Sequence, residues 1–414
     1  MSLPGAVDGE RLGRRLEELG AVGRVVRGGV EGVCRLALSE EDRRGRDLVI
    51  SWMREDGLEV RVDAVGNIFA LEPGREGEIP VMAGSHIDSV DGAGKYDGCY
   101  GVLAALEALR AIRHEGGARR RPLAVGVFTN EEGVRYTPDM LGSLVHAGGM
   151  TPEEARNLRG FDGTVVGEEL DRMGYSGDFP CGSLIPAAYV ELHVEQGPVL
   201  FREGTPLGVV EVVTGISWQE FEISGTANHA GTTPMEGRRD AAVAAARVIL
   251  FVRDLAREMG GAARATVGML RLEPGGVNVV PDRALFTVDL RHSDARALEE
   301  IEEKVAAFGE DVARQERVAV ERRSLARFDP VPFDPGVMEA IRRAVADLGM
   351  ASRPMISGAG HDAQMMARIC PAAMIFVPSR DGISHNPREY TPPEDLERGA
   401  RVLRRTLEIL AERD

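Results

Sequence analysis

Residues 82–101 read MAGSHIDSVDGAGKYDGCYG, which sets one histidine, three aspartates, a lysine and five glycines between two apolar runs. Two chemistries use such a stretch: a phosphate cradle built from backbone N–H groups, or a metal site. The cradle fails on spacing. A P-loop ending at Gly94-Lys95 needs glycine at 89 and Ser or Thr at 96, where the chain has Ser89 and Tyr96. GAGKYDG places Asp97 where G-x-G-x-x-G needs its third glycine. The metal reading gains with each further segment. His86 and Asp97 flank a loop whose glycines let both side chains bend to one point, and Glu131-Glu132, His193 and His385 add donors. Such a set suits two divalent ions sharing one carboxylate, with Asp97 placed to bridge. Paired ions of this kind lie roughly 3.5–4 Å apart and activate a water as nucleophile. Of the adjacent Glu131 and Glu132, one can bind metal while the other takes the water's proton. Asp88, two residues beyond His86, is placed to accept the second imidazole N–H.

What must bring these residues together is a parallel sheet. The apolar run ending at His86 reads as a buried strand. Apolar residues at 102, 103, 106, 109 and 112 form one helix face, and RPLAVGVFT (121–129) reads as a second buried strand. That β-α-β order makes the two strands parallel neighbours. Ligands in open α/β sheets collect at the C-terminal ends of such strands. AAYVELHVEQG (187–197) and AAMIFVPSRDGISHN (372–386) repeat the arrangement, ending near His193 and His385. Singly, each polar residue would be an ordinary capping or solvated group; five at strand ends on one edge are a constellation.

Between 213 and 329 the pattern changes. The strand-like stretch GVVEVVTGISWQEFEISG (208–225) leads to a helix over about 237–258 and strands over 264–272 and 283–291; a charged helix over about 294–315 and a strand near 317–325 follow. This β-α-β-β-α-β order predicts a small ferredoxin-like α+β module inserted into a larger α/β domain, whose two segments are 1–212 and 330–414.

A chain of 414 residues is long for a single core, and its 43% hydrophobic and 28% charged residues are those of an ordinary globular protein. The formal net charge of -16 argues against nucleic acid or an anionic membrane as partner. Cys34, Cys99, Cys181 and Cys370 form no C-x-x-C pair and read as buried reduced thiols. The N-terminus turns polar before a leader's apolar core can form. The longest apolar run, AAVAAARVILFV (241–252), is interrupted by Arg247 and too short to span a bilayer. A cytoplasmic protein is expected.

GSHIDSV with GKYDG, NEEG, ELHVEQGPVL, SGTANHAGTTPM, GAGHDAQ and SHNPREYT follow one another along essentially the whole chain. Together they resemble the M20-type metallopeptidase superfamily, and more narrowly its amidase branch: N-carbamoyl-L-amino-acid hydrolases, β-ureidopropionases and allantoate amidohydrolases. ELHVEQGP carries that distinction, because peptidase relatives usually place a carboxylate where this chain has His193. The resemblance implies a mixed-sheet catalytic domain of the zinc-peptidase type, with the inserted module acting as lid and pairing surface of a homodimer. It implies one ion held by His86, Asp97 and His193 and another by Asp97, Glu132 and His385, with Glu131 as general base. Zinc is the implied metal, with manganese, cobalt and nickel as alternatives. His229 would stabilise the oxyanion, from its own subunit or across the dimer. Gln196, Asn278 and Arg291 would contact the substrate, Arg291 as a bidentate carboxylate clamp, and Gly360 and His361 would line the pocket with Asp362. Where relatives commonly read EEGSRF, this chain reads EEGVRY, placing Val134 where they carry a hydroxyl.

The implied activity is hydrolysis of the ureido amide of an N-carbamoyl-L-amino acid, with release of ammonia and carbon dioxide. Allantoate hydrolysis and β-ureidopropionate hydrolysis are the near alternatives. A catalytically silent metal-binding relative is the alternative from another class, and Glu131 speaks against it, since a binding protein needs no base beside a complete ligand set.

Overall fold

The computed structural model describes residues 6–75, 77–116 and 119–413. Residues 1–5, part of the stretch read above as lacking a leader, lie outside the described residues. The chain divides into two compact units, 1–211 with 333–414, and 212–332.

The first unit is built on four parallel strands in the spatial order Ala372–Val377, Ala188–Val194, Val81–His86, Leu123–Phe128. Every residue of all four strands is buried. That is why they read in sequence as continuous apolar runs rather than alternating ones: a parallel strand is covered on both faces. Antiparallel strands extend the sheet, Ile68–Leu71 and then Glu59–Val62 beyond Leu123–Phe128, and Gly208–Val213 beside Ala372–Val377. The sheet is therefore mixed and the architecture α/β. Between the strands ending at His86 and Phe128 runs the helix Cys99–Glu115, buried continuously from Cys99 to Leu109. It packs against the C-terminal helix Pro393–Ala411, where the Tyr100 hydroxyl donates to the Leu396 carbonyl at 2.7 Å.

The second unit is an antiparallel sheet with two helices, Ala241–Met259 and Ala295–Glu316. Its long strands Gly215–Ser224, Arg283–His292 and Ala319–Phe328 pair with Gly215–Ser224 in the middle. Arg283–His292 alternates buried and half-buried positions over Arg283–Leu290, as a strand with one covered face must. Phe221 and Phe286 stack at 5.2 Å in the core beneath Val248, Leu298 and Val305. Three details differ from the sequence reading. The stretch read as the first strand is two, Gly208–Val213 beside Ala372–Val377 and Gly215–Ser224 in this sheet. The stretch 264–272 is two short strands, Arg264–Thr266 and Leu270–Glu273, because the register slips: Thr266 faces Asp289 but Leu270 faces Phe286, four residues against three. The extra residue makes a bulge at 267–269. The first helix begins at Ala241 rather than 237, since Asp240 caps it by accepting the N–H groups of Ala242 and Val243.

Among the described residues no helix is long and apolar enough to cross a membrane. All four cysteines are free; Cys99 and Cys370 are buried, whereas Cys34 and Cys181 are only half-buried.

Candidate metal centre

The C-terminal ends of the four parallel strands bring the predicted ligands to one place. Three donor atoms from His86, Asp97 and His193 lie within 4.8 Å of one another, and so do three from Asp97, Glu132 and His385. Asp97 belongs to both groups. Its Oδ1 is 3.2 Å from His193 Nε2 and 3.7 Å from His86 Nε2, while its Oδ2 is 3.3 Å from His385 Nε2. Glu132 Oε2 reaches His385 Nε2 at 3.2 Å, and Glu132 Oε1 is buried with no hydrogen-bond partner.

The imidazoles are set by backbone carbonyls. His86 Nδ1–H donates to the Asp88 carbonyl at 3.0 Å, and His193 Nδ1–H donates to the Val194 carbonyl at 2.9 Å. Each Nε2 is thereby left as the acceptor that a metal ligand must be. Asp88 thus accepts the second imidazole N–H through its backbone carbonyl. The carboxylate instead accepts the N–H groups of Glu131 and Glu132, both at 3.2 Å, and so fixes the pair. Gln196 donates from Nε2 to Asp97 Oδ2 at 2.8 Å, leaving its buried Oε1 without a partner.

Electrostatics fit a cationic occupant. Burial, reinforced by the neighbouring carboxylates of Asp362, Glu132, Asp97 and Asp88, holds Glu131 well above the ordinary carboxylate range. Burial and the charges of Asp97 and Asp88 do the same to Glu132, and burial with Asp42 pushes Asp88 up to about 7. So many buried acids oppose one another's ionisation. Divalent cations reverse that balance, and the donor set of three histidines and two carboxylates suits them. Glu131 stands apart from both donor groups; its Oε2 lies 3.4 Å from His86 Nε2.

A third cluster, Glu191, His193 and His361, has the same compactness but not the same chemistry. Glu191 already accepts the Ser85 hydroxyl at 2.6 Å and the Ala363 N–H at 2.7 Å, and His361 Nε2 meets the Ser357 hydroxyl at 2.9 Å. These groups brace the site. His361 packs edge-on against His193 with ring centres 4.6 Å apart and is buried.

Residues 82–409 match the model of peptidase family M20/M25/M40. The chain belongs to this family. It is 41% identical to an N-carbamoyl-L-amino acid amidohydrolase of Geobacillus stearothermophilus, over 98% of this chain and 99% of that one. It is 36% identical to an allantoate amidohydrolase of Bacillus subtilis (strain 168), over 92% and 93%. A crystal structure of an amidase of the hydantoinase/carbamoylase family from Burkholderia multivorans superimposes with a TM-score of 0.93 at 41% identity, covering 99% of both chains.

The remaining residues that the M20 resemblance marked lie mostly in the second unit. His229 is exposed, on a two-residue strand paired with Val279–Val280. Its Nδ1 accepts the N–H groups of Gly231 and Thr232 at 3.0 and 3.2 Å, so the neutral ring carries its proton on Nε2 as a donor. Asn278, next to His229's partner Val279, is exposed, and its carbonyl accepts the Ala230 N–H. Arg291 is ion-paired with Asp289 on the same face of its strand (2.8 Å), and Asp294 caps the following helix. In the first unit Gly360 sits against Met140, and Asp362 is fully buried, accepting the Ser143 hydroxyl at 2.5 Å. Val134 is exposed. His146, to which the sequence assigns no role, is a buried core group against Phe69 and Phe128.

Sequence reasoning did not single out Gly98 or Glu191. The signal for Glu191 was present: two residues before His193 on one strand, it faces the same side of the sheet. Gly98 has φ of 62°, and a Cβ there would stand 2.4 Å from the His86 ring. Gly98→Ala is therefore expected to push His86 out of its donor group and lower metal retention. Elemental analysis of the purified variant, beside its melting temperature, checks this; full metal content would show that the ring can give way.

Proposed function

We propose that this M20 family member is a two-metal amidohydrolase that cleaves the ureido amide of N-carbamoyl-L-amino acids, consuming one water and releasing carbon dioxide and ammonia with the free amino acid. The observation that carries the reading is the shared carboxylate: two three-donor groups meet at Asp97, and a carboxylate belonging to neither, Glu131, stands beside them. The curated relatives supply the substrate class, and His193 fits the amidase branch.

His86, Asp97 and His193 would hold one ion and Asp97, Glu132 and His385 the other; bound there, the ions, zinc by preference, would supply Lewis-acid chemistry toward the ureido carbonyl and make water more acidic. Glu131 accepts the water's proton and returns it to the departing nitrogen. His229, with its proton on Nε2, donates to the oxygen on which charge develops. Arg291 and Asn278 hold the substrate's carboxylate, Asp289 keeping the guanidinium oriented, and Gln196 steadies Asp97. Pairing of two subunits through the second unit and a cytoplasmic location belong to the same reading. Allantoate is the second substrate to consider, because a relative of that name is 36% identical over nearly the whole chain.

Ammonia release from a panel of N-carbamoyl-L-amino acids, β-ureidopropionate and allantoate, with each metal restored in turn, tests the assignment. N-carbamoyl-L-amino acids should be turned over fastest; silence across the panel would overturn it. Arg291→Ala should lower kcat/KM on the preferred acid by about 2–3 kcal/mol, ~30- to 150-fold. Arg291→Lys should not restore it, because lysine offers a point charge without the planar fork. An enzyme that already ignores whether the substrate carries a free carboxylate would remove Arg291 from the site.

A further inference from the structure

Glu389 lies four residues beyond His385 and is buried, only 6% exposed. Its Oε2 accepts the backbone N–H groups of Tyr96 at 2.9 Å and Asp97 at 3.4 Å. Its own N–H donates to the Asn386 carbonyl at 2.9 Å, closing a turn directly after His385. Ser384, on the other side of His385, stands between two carboxylates: its Oγ is 3.2 Å from Asp97 Oδ2 and 3.4 Å from Glu389 Oε1. One hydroxyl proton therefore serves both. Opposite them Gly94 leaves the room that Glu389 fills, since a Cβ at 94 would lie 2.1 Å from Glu389 Oε2.

We propose that Glu389 is a positioning residue that clamps the Asp97 loop to the His385 turn and so sets the spacing of the bridging carboxylate from the ligands of the second ion. The inference rests on the metal-centre reading above. Glu389 is not a ligand itself: it belongs to neither donor group, and its oxygens face the loops' own donors. Its two loops are 293 residues apart in sequence, so no local preference of either can hold them in register. Without the clamp, two buried N–H groups lose their acceptor, and Asp97 and His385 must be brought together by the ions alone. Groups that orient ligands typically govern metal affinity ~10–100-fold.

The competing account is that a buried negative charge retains cations wherever it stands, with no clamp involved. Three variants of the full-length protein separate the two, read by chelator competition for Zn2+ and by kcat and KM apart. Glu389→Ala should weaken the more loosely held ion ~10–100-fold and lower kcat while KM stays near wild type. Gly94→Ala, which displaces the carboxylate but keeps its charge, should do the same. Glu389→Gln, which keeps an acceptor for both N–H groups but lacks the charge, should recover most of the affinity. Wild-type affinity in Glu389→Ala overturns the proposal, as does a Gln variant as poor as Ala together with a harmless Gly94→Ala. Should Glu389→Ala fail to fold, the other two variants still decide. Asp97→Asn serves as the control: if it too leaves both ions in place, the metal-centre reading fails, whereas its loss of metal beside a normal Glu389→Ala confines the failure to the clamp.

Discussion

Glu131→Gln should keep its metal and lose ~10²–10⁴-fold in kcat, the usual cost of removing a general base. The side chain is nearly isosteric, so the site should keep its shape, but an amide cannot take a proton from water. The expectation rests on position. Glu131 lies outside both donor groups, its backbone is held by Asp88, and its Oε2 is 3.4 Å from His86 Nε2. Burial and four neighbouring carboxylates raise its affinity for a proton, and bound cations would lower it again. Glu132→Gln is the matched control and should lose metal, because Glu132 faces His385 within the second donor group. Metal content and single-turnover rates of the two variants give the answer. The opposite pattern, metal stripped from Glu131→Gln and retained in Glu132→Gln, would exchange the roles of the two residues.

Asp97→Asn should lower occupancy at both positions together and abolish turnover with it. Each oxygen of Asp97 faces a different set of imidazoles, Oδ1 those of His193 and His86, and Oδ2 that of His385. An asparagine offers one neutral oxygen and one NH2 group that cannot ligate. If the NH2 takes the place of Oδ2, it also confronts the Nε2 donor of Gln196, now 2.8 Å from that oxygen, and two donors would face each other. Substitution of a ligand serving a single ion, such as His193→Ala or His385→Ala, should cost one position more than the other. Ions per subunit, counted by elemental analysis after purification without chelators, distinguish the cases. Two tightly bound ions and full turnover in Asp97→Asn would remove it as the bridge.

Much of this molecule could be read before its structure. The four central strands are legible because parallel strands buried on both faces must be apolar throughout, and their ends are legible because polar residues follow at once. Residue type and order therefore place His86, Asp97, Glu131, Glu132, His193 and His385 on one rim. The ferredoxin-like order of the second unit follows equally from its alternation of strand and helix patterns. What sequence does not specify is which atom meets which. Asp88 accepts the His86 N–H through its backbone carbonyl while its carboxylate holds Glu131 and Glu132, a division that residue type does not reveal. Arg291 is paired with Asp289, two residues back on its own strand face, which its type alone does not announce. The bulge at 267–269 turns on one extra residue, which hydrophobic pattern alone does not register. The braces of the site, Glu191 on Ser85 across 106 residues and Glu389 on Tyr96 across 293, join segments that share no local signal. A hydrogen bond is decided over tenths of an ångström by how loops and strands stack, and only the folded chain fixes those distances.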